Sequence, residues 1–175
     1  MAERPTWYLD VDGVLNAVPA PAHRLRGQFE HTVLDAEDGT GATREVPIWW
    51  RPAVVDAINT ASRTGLADVV WLTTWGAQAG TLLAPRIGLD SFDVVPAGAG
   101  EVSPESANWW KVQAIKDRST AGDRLVFTDD DLSRTTRAAL MDRYEPENVL
   151  LVTPMSSPGL TDEHLQRVDR FLTQA

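Results

Sequence analysis

Four polar segments of the sequence combine the side chains that phosphoryl transfer requires. A carboxylate can attack phosphorus or bind a divalent cation, a hydroxyl can hold a phosphoryl oxygen, and an ammonium group can neutralise its charge. Three of the segments directly follow short apolar runs, and the fourth lies near the predicted start of a helix. In chain order the segments contribute Asp10 with Asp12, Thr73, Lys111, and Asp129 with Asp130.

Asp10 is the candidate nucleophile, and its attack on a phosphate dianion would meet charge repulsion. A divalent cation lowers that barrier because it draws the two anions together and neutralises the transition state. Asp10 and Asp130 offer the hard oxygen ligands that Mg²⁺ prefers, and the backbone carbonyl of Asp12 can serve as a third. The Asp12 carboxyl can protonate the leaving oxygen and then accept a proton from water. We therefore expect an aspartyl-phosphate intermediate and Mg²⁺ as cofactor.

Thr73 and Lys111 are the candidates for holding the transferred phosphoryl group. The Thr73 hydroxyl can donate to a phosphoryl oxygen, and Thr74 is an equally good candidate by position. Lys111 falls in the first turn of a helix that we predict to be capped by Asn108, where a positive charge opposes the helix dipole. That position indicates a use other than helix stability, although a lysine on a helix is ordinarily a solvated residue.

Short apolar segments alternate with helical patterns along most of the chain, which predicts an α/β fold with a largely parallel sheet covered on both sides. The predicted strands are 6–10, 68–73, 124–128 and 148–152, a short apolar piece lies around 92–95, and the predicted helices begin near residues 52, 77, 108, 133 and 161. In such a sheet, reactive groups gather beyond the carboxyl ends of the strands. The four polar segments would therefore meet at one edge.

The segment between the first strand and the first helix has a different pattern. Residues 28–34 and 43–50 flank a polar, glycine-rich centre at 35–41, which is typical of a β-hairpin. We expect this hairpin, roughly residues 27–50, to be an insert that acts as a flap over the site. No long linker divides the chain, so we expect one catalytic domain over residues 1–175.

The four segments resemble, in the same order, the four signature motifs of haloacid dehalogenase-like (HAD) phosphatases. The matching residues are Asp10-Val11-Asp12-Gly13-Val14-Leu15, Val69-Val70-Trp71-Leu72-Thr73, Lys111, and Leu125-Val126-Phe127-Thr128-Asp129-Asp130. Together they frame the chain from residue 6 to about residue 131. The resemblance implies a three-layer Rossmann-like fold and the Mg²⁺-dependent hydrolysis of a phosphomonoester.

The resemblance also implies a role for each matching residue. Asp10 would be the nucleophile and Asp12 the acid and base, while Thr73 and Lys111 would hold the phosphate. In the adjacent-acid form of the fourth motif the second member is the closer metal ligand, but Asp131 leaves that register open by one residue. The full assignment places Asp10, Asp12, Asp129 and Asp130 at the metal, and Gly13, Thr73, Thr74, Trp75 and Lys111 at the substrate.

Two further segments look like one branch of this family. Trp71-Leu72-Thr73-Thr74-Trp75 and Pro158-Gly159-Leu160-Thr161 resemble proteins of phages and actinobacteria, some of them linked to RNA repair. HAD phosphatases commonly carry a separate cap domain, whereas this chain has room only for the hairpin. A nearly capless member has an open site, which the family associates with large substrates or with closure by a partner.

The composition limits the partners and the location that we expect. The formal net charge of −9 repels polyanions at long range, so nucleic acid is a possible partner that the charge disfavours. The absence of cysteine excludes disulfides and thiolate chemistry. The charged N-terminus leaves no room for a secretion signal, and no apolar run approaches the roughly 20 residues that span a membrane. We expect a cytoplasmic protein that binds a phosphorylated substrate and no membrane.

Several alternative interpretations stay open at this level. Asp10 to Gly13 could belong to a calcium loop, although position twelve of such a loop would be Pro21 rather than the required glutamate. A phosphotransferase or phosphomutase would use the same residues but needs shielding from water, which the missing cap does not provide. A non-catalytic nucleic-acid or protein binding module would need a coherent basic surface. Trp75 could stack on a base, but core packing explains most of the tryptophans equally well.

Overall fold

The computed structural model describes residues 4–38, 40–98 and 100–174. Gly39, in the predicted hairpin turn, and the end residues of the predicted domain lie outside these ranges. The elements in chain order are β1 (Thr6–Leu9), a 3-10 helix (His23–Gln28), β2 (Glu30–Glu37), β3 (Thr43–Trp50), α1 (Pro52–Arg63), β4 (Asp68–Trp71), a π-helical turn (Ala79–Leu83), α2 (Ala84–Ile87), β5 (Asp93–Val94), α3 (Trp110–Arg118), β6 (Leu125–Thr128), α4 (Arg134–Met141), β7 (Val149–Val152) and α5 (Asp162–Thr173).

The central sheet has five parallel strands in the order β5-β4-β1-β6-β7, and β2 and β3 form a separate antiparallel hairpin. Alternate residues of β1 face two hydrophobic layers. Trp7 and Leu9 pack in the layer that contains α1 and α5, whereas Tyr8 packs in the layer that contains α3 and α4. Because both faces are covered, the strands are nearly continuous apolar runs. This arrangement confirms the predicted three-layer, Rossmann-like α/β fold.

The register of the parallel strands brings the polar segments to the same edge of the sheet. Leu9, the last residue of β1, is paired with Trp71 on one side and with Thr128 on the other. Backbone hydrogen bonds continue just beyond the strands, since the Asp10 N–H donates to the Thr128 carbonyl at 3.1 Å. The Asp129 N–H likewise donates to the carbonyl of the last residue of β7 at 3.1 Å. The backbones of both acidic segments are thereby fixed by the sheet.

The hairpin lies against the core with one face and is attached to the segment after β4. Leu34, Ile48 and Trp50 are buried in the same layer as α1. The Gln78 side chain accepts from the Glu37 N–H at 2.8 Å and donates to the Glu37 carbonyl at 2.9 Å. The predicted hairpin is therefore confirmed, and its first strand extends beyond residue 34 to the point where Gln78 binds it.

The helix that we predict from about residue 77 to about residue 84 has other boundaries in the structure. It begins with the π-helical turn at Ala79, this turn ends at Leu83, two residues before Pro85, and α2 continues to Ile87. Proline has no N–H for a regular helical hydrogen bond, and a wide turn is one way to accommodate it. Gly88, with φ of +83°, then ends the helix. No helix within the described ranges is long and apolar enough to cross a membrane.

The predicted cap of α3 by Asn108 is wrong. The N-cap position is Trp109, which makes no side-chain cap hydrogen bond. A backbone bridge replaces the cap, because the Glu101 N–H donates to the Asn108 carbonyl and the Trp110 N–H donates to the Glu101 carbonyl, each at 2.9 Å. The loop before α3 thus provides a hydrogen-bond acceptor for a backbone N–H at the start of the helix. Lys111 lies in the first turn, as the sequence predicts.

Candidate active site

Three carboxylates converge at the carboxyl ends of β1 and β6. Asp10 follows β1, Asp129 and Asp130 follow β6, and one oxygen of each lies within 4.8 Å of the others. Asp129 is 0% exposed and Asp10 is 7% exposed, whereas Asp130 is only partly buried. Carboxylates held this close repel one another when all are ionised. The donor set, made of oxygens alone, fits a hard divalent cation such as Mg²⁺.

Lys111 provides the positive charge inside this cluster. Its Nζ lies 2.7 Å from Asp10 Oδ2 and 2.6 Å from Asp129 Oδ2, and the residue is 3% exposed. The same Nζ lies 5.2 Å from the ring centre of Trp109 and 5.9 Å from that of Trp110, where the aromatic quadrupoles attract a cation. One ammonium group faces more than one carboxylate, so the cluster keeps excess negative charge.

The pKa values of these groups reflect burial and their mutual charges. Burial by itself would lower the pKa of Lys111, but the charges of Asp10 and Asp129 outweigh it and raise that pKa above its usual value. Burial, and then the charge of Asp10, raise the pKa of Asp129 to about 7 against the opposing effect of Lys111. Burial also raises the pKa of Asp130, and a hydrogen bond from the Ser156 side chain offsets part of this rise. Without a cation, the cluster therefore favours holding an additional proton.

The two adjacent acids have different surroundings. Asp129 uses both oxygens within the protein, because Oδ2 accepts from Lys111 and Oδ1 accepts from the Asp131 N–H at 2.9 Å. Asp130 instead lines a cavity of about 300 Å³ that also contacts Asp10. This difference favours Asp130 as the acid that meets a cation entering from the cavity, and it gives Asp129 the task of orienting Lys111.

Gly13 allows Asp130 to approach the loop after β1. Its φ is +71°, a backbone conformation that residues other than glycine rarely adopt. A Cβ at this position would also overlap the Asp130 carboxylate. We predicted that Gly13 binds substrate, and the structure shows a steric requirement for glycine at this position. The glycine leaves room for the acidic residue beside the nucleophile.

The 300 Å³ cavity is lined by most of the residues that the sequence singled out, but Thr73, Trp75 and Asp129 are not among its lining residues. Thr73 is 2% exposed, and its Oγ1 accepts from the Trp75 N–H at 3.3 Å. Thr74 is exposed and lines the cavity, whereas Trp75 lines a neighbouring one. The cavity lining includes Asp10, Asp12, Gly13, Thr74, Lys111 and Asp130, together with Asp131 and Ser156.

Asp12 is held in place by two side-chain donors. Asn16 Nδ2 donates to its Oδ1 and Trp75 Nε1 donates to its Oδ2, each at 2.8 Å. Asn16 is 1% exposed, and its own Oδ1 accepts from the Trp49 N–H of β3 at 2.9 Å. The hairpin is thereby connected to the acid and base candidate through one buried amide.

Sequence reasoning missed two residues of the site. Asn16 stands four positions after Asp12, and an amide at that spacing is a local signal that could have been noticed. Ser156 reaches the cavity from the loop after β7, and its influence on Asp130 depends on the chain returning to the site. No local pattern around residue 156 indicates that return.

Comparison with known proteins adds one match. A family model described as the HAD domain in Swiss Army Knife RNA repair proteins matches residues 6–165. The matched range begins in β1 and ends in α5, so it includes all four polar segments and the hairpin. The chain has no match among curated proteins or among solved structures.

Proposed function

The chain belongs to the family of HAD domains in Swiss Army Knife RNA repair proteins, and we propose that it is a Mg²⁺-dependent phosphomonoesterase. The observation that carries the proposal is the cluster of Asp10, Asp129 and the partly buried Asp130, in which Lys111 binds the first two and Asp10 and Asp130 line the 300 Å³ cavity. Such a cluster combines a nucleophile, ligands for a cation and a fixed positive charge. These are the components that phosphoryl transfer through an aspartyl-phosphate needs.

The proposed reaction has two displacement steps at phosphorus. In the first, Asp10 forms a bond to phosphorus while the bond to the leaving oxygen breaks, and Asp12 gives that oxygen a proton. In the second, Asp12 takes a proton from water, the water oxygen bonds to phosphorus, and the bond to Asp10 breaks to release inorganic phosphate. Lys111 holds the Asp10 carboxylate and offsets the charge that collects on the phosphoryl oxygens.

A divalent cation fits the donor set in this proposal. Asp10 and Asp130, with the backbone carbonyl of Asp12, would hold Mg²⁺, and the bound ion would neutralise charge on the phosphoryl group. Thr74, which lines the cavity, offers a hydroxyl to a phosphoryl oxygen, and the buried Thr73 can support the turn that presents it. We keep both threonines as candidates for this contact.

We propose a nucleotide or a phosphorylated nucleic-acid end as the substrate class. The words RNA repair in the description of the family support this choice. The 300 Å³ cavity also leaves room for a large substrate, because no described residue of the hairpin is among its lining residues. The net charge of −9 opposes binding along a long polyanion. A nucleic-acid end that places one terminal phosphate in the cavity requires less contact with the acidic surface.

Phosphate release from a panel of esters tests the proposal. We expect Mg²⁺-dependent release from nucleoside monophosphates and from phosphorylated RNA or DNA ends, and none after chelation of the metal. Sugar phosphates and an aryl phosphate in the same panel show whether the preference is for nucleotides. A folded protein that releases phosphate from no ester with Mg²⁺ or Mn²⁺ present would contradict the proposal.

The pKa of Asp129 predicts how stability depends on pH and on Mg²⁺. This pKa is about 7 in the folded chain and 3.8 ordinarily, so between these values the folded state binds more protons than the unfolded state. The free energy of unfolding of the metal-free protein should therefore fall as pH rises through this window, by up to about 1.4 kcal/mol per pH unit. Mg²⁺ should stabilise the protein more at about pH 8 than at about pH 5.5, because protons and the cation compete for the cluster.

Urea unfolding at these two pH values, with and without Mg²⁺, measures both effects. Asp129→Asn is the matched control, because it removes the titrating group and should flatten the pH dependence of the metal-free protein. Equal stabilisation by Mg²⁺ at both pH values would show that the cluster does not bind the ion as we propose.

A further inference from the structure

A second cavity adjoins the first on the other side of Asp12. It has a volume of about 270 Å³ and lies between the hairpin and the segment after β4. Asp12 and Thr74 line both cavities. The carboxyl group that we assign to proton transfer therefore stands at the junction of two spaces, of which the first also contacts Asp10.

We propose that this second cavity binds the leaving group of the substrate. The inference rests on the proposed function, in which Asp12 must contact the leaving oxygen to protonate it. In phosphoryl transfer the attacking and leaving oxygens lie roughly in line, on opposite sides of phosphorus. With phosphorus above Asp10 in the first cavity, the leaving oxygen points past Asp12, and the rest of the alcohol enters the second cavity.

The walls of the second cavity indicate a ring as the occupant. Trp75 lines it, and its Nε1 donates a hydrogen bond to Asp12 Oδ2 at 2.8 Å, which fixes the orientation of the indole ring. Ala36 and Val46 of the hairpin add apolar surface on the other side. A fixed indole stacks on a planar ring with little loss of side-chain freedom, and bases stack on such side chains without regard to sequence.

The charges of the second cavity indicate that the part of the substrate bound there carries no negative charge. The lining includes the acidic residues Asp12, Glu37 and Asp38 against the guanidinium group of one basic residue, Arg44. That guanidinium group is already paired, with Nη2 2.8 Å from Asp38 Oδ2. A second phosphate inside this cavity would meet net repulsion. The structure thus favours a nucleoside as the leaving alcohol over a diphosphate or a bisphosphate.

The second cavity is also held open in the free protein. Gln78, one of its lining residues, binds both backbone groups of Glu37 and so ties the hairpin to the opposite wall. A pocket that is already formed binds its ligand without an ordering cost. The hairpin accordingly contributes a wall that selects the alcohol.

Filling the second cavity tests the inference. Val46→Phe places a larger side chain at its wall, and adenosine 3′-monophosphate and glycerol 2-phosphate are two esters of secondary alcohols that differ in bulk. We expect the ratio of kcat/KM for the nucleotide to kcat/KM for the glycerol ester to fall at least about tenfold in the variant. Val33→Phe is the matched control, since Val33 lies on the other strand of the hairpin and is 47% exposed. It should leave the ratio unchanged.

The outcomes separate this inference from the proposed function. Wild-type protein that hydrolyses either ester with Mg²⁺ supports the phosphomonoesterase, and an unchanged ratio in Val46→Phe then overturns the leaving-group cavity alone. An equal loss for both esters in a variant that keeps the wild-type circular dichroism spectrum overturns it as well. Wild-type protein that hydrolyses neither of these esters and no other ester of the panel contradicts the proposed function, and the inference falls with it.

Discussion

Asp10→Asn should reduce Mg²⁺-dependent phosphate release by about 10³-fold or more, the scale on which an enzyme loses its nucleophile. The amide cannot form the bond to phosphorus that the carboxylate forms, and it would also offer the cation a neutral oxygen in place of a charged one. The fold should persist, because Asp10 shares Lys111 with Asp129 and the substitution relieves repulsion within the cluster. The measurement is kcat/KM on the best ester of the panel, together with the thermal unfolding curve.

Asp93→Asn provides the matched control for this variant. Asp93 is an exposed carboxylate on β5 of the same sheet, so its amide should leave kcat/KM unchanged. Mass spectrometry of acid-quenched wild-type enzyme should find a phosphoryl group on the peptide that contains Asp10, and the corresponding peptide of the Asp10→Asn variant should carry none. If that variant releases phosphate at the wild-type rate, Asp10 is not the nucleophile.

Lys111→Met should lower the free energy of unfolding by about 3–5 kcal/mol, the range for removing one partner of a buried ion pair. Methionine keeps much of the volume but leaves Asp10 and Asp129 facing each other without a cation in a region that is almost closed to water. The loss comes from these stranded carboxylates rather than from missing apolar contact. Urea unfolding of the metal-free protein at neutral pH measures it.

A second substitution distinguishes stranded charge from poor packing. Adding Asp129→Asn to Lys111→Met removes one of the two carboxylates, so the double variant should recover part of the lost stability. Lys116→Met, on the same helix, should change the free energy of unfolding by less than about 0.5 kcal/mol, because Lys116 makes no ion pair among the described residues. A loss in Lys111→Met no larger than in Lys116→Met would mean that Lys111 does not hold the cluster together.

The hairpin has more than one connection to the chemistry of this site. Asn16 joins the backbone of Trp49 to the Asp12 carboxylate, and Gln78 joins Glu37 to the segment that carries Trp75. Asp12 is therefore positioned partly by the insert. This arrangement gives a nearly capless domain a fixed wall beside its acid and base candidate, where HAD phosphatases commonly use a separate domain.

Most of the strands and helices, and the polar residues that follow the strands, could be predicted from local sequence patterns. Apolar runs covered on both faces must be strands of a buried parallel sheet, and the acids, the hydroxyls and Gly13 were assigned from their places after these runs. Local patterns suffice for such assignments because a strand and the turn that ends it depend on neighbouring residues. The register that brings Asp10 beside Asp129 then follows from parallel pairing.

Which of these residues line the same cavity could be seen only once the chain was folded. The tertiary structure separated Asp129, which binds Lys111, from Asp130, which lines the cavity, and it buried Thr73 while leaving Thr74 at the surface. It also replaced the predicted Asn108 cap by a backbone bridge to Glu101. Each of these outcomes depends on contacts between segments far apart in the chain. The sequence pattern within one segment does not predict how close its side chains lie to those of another.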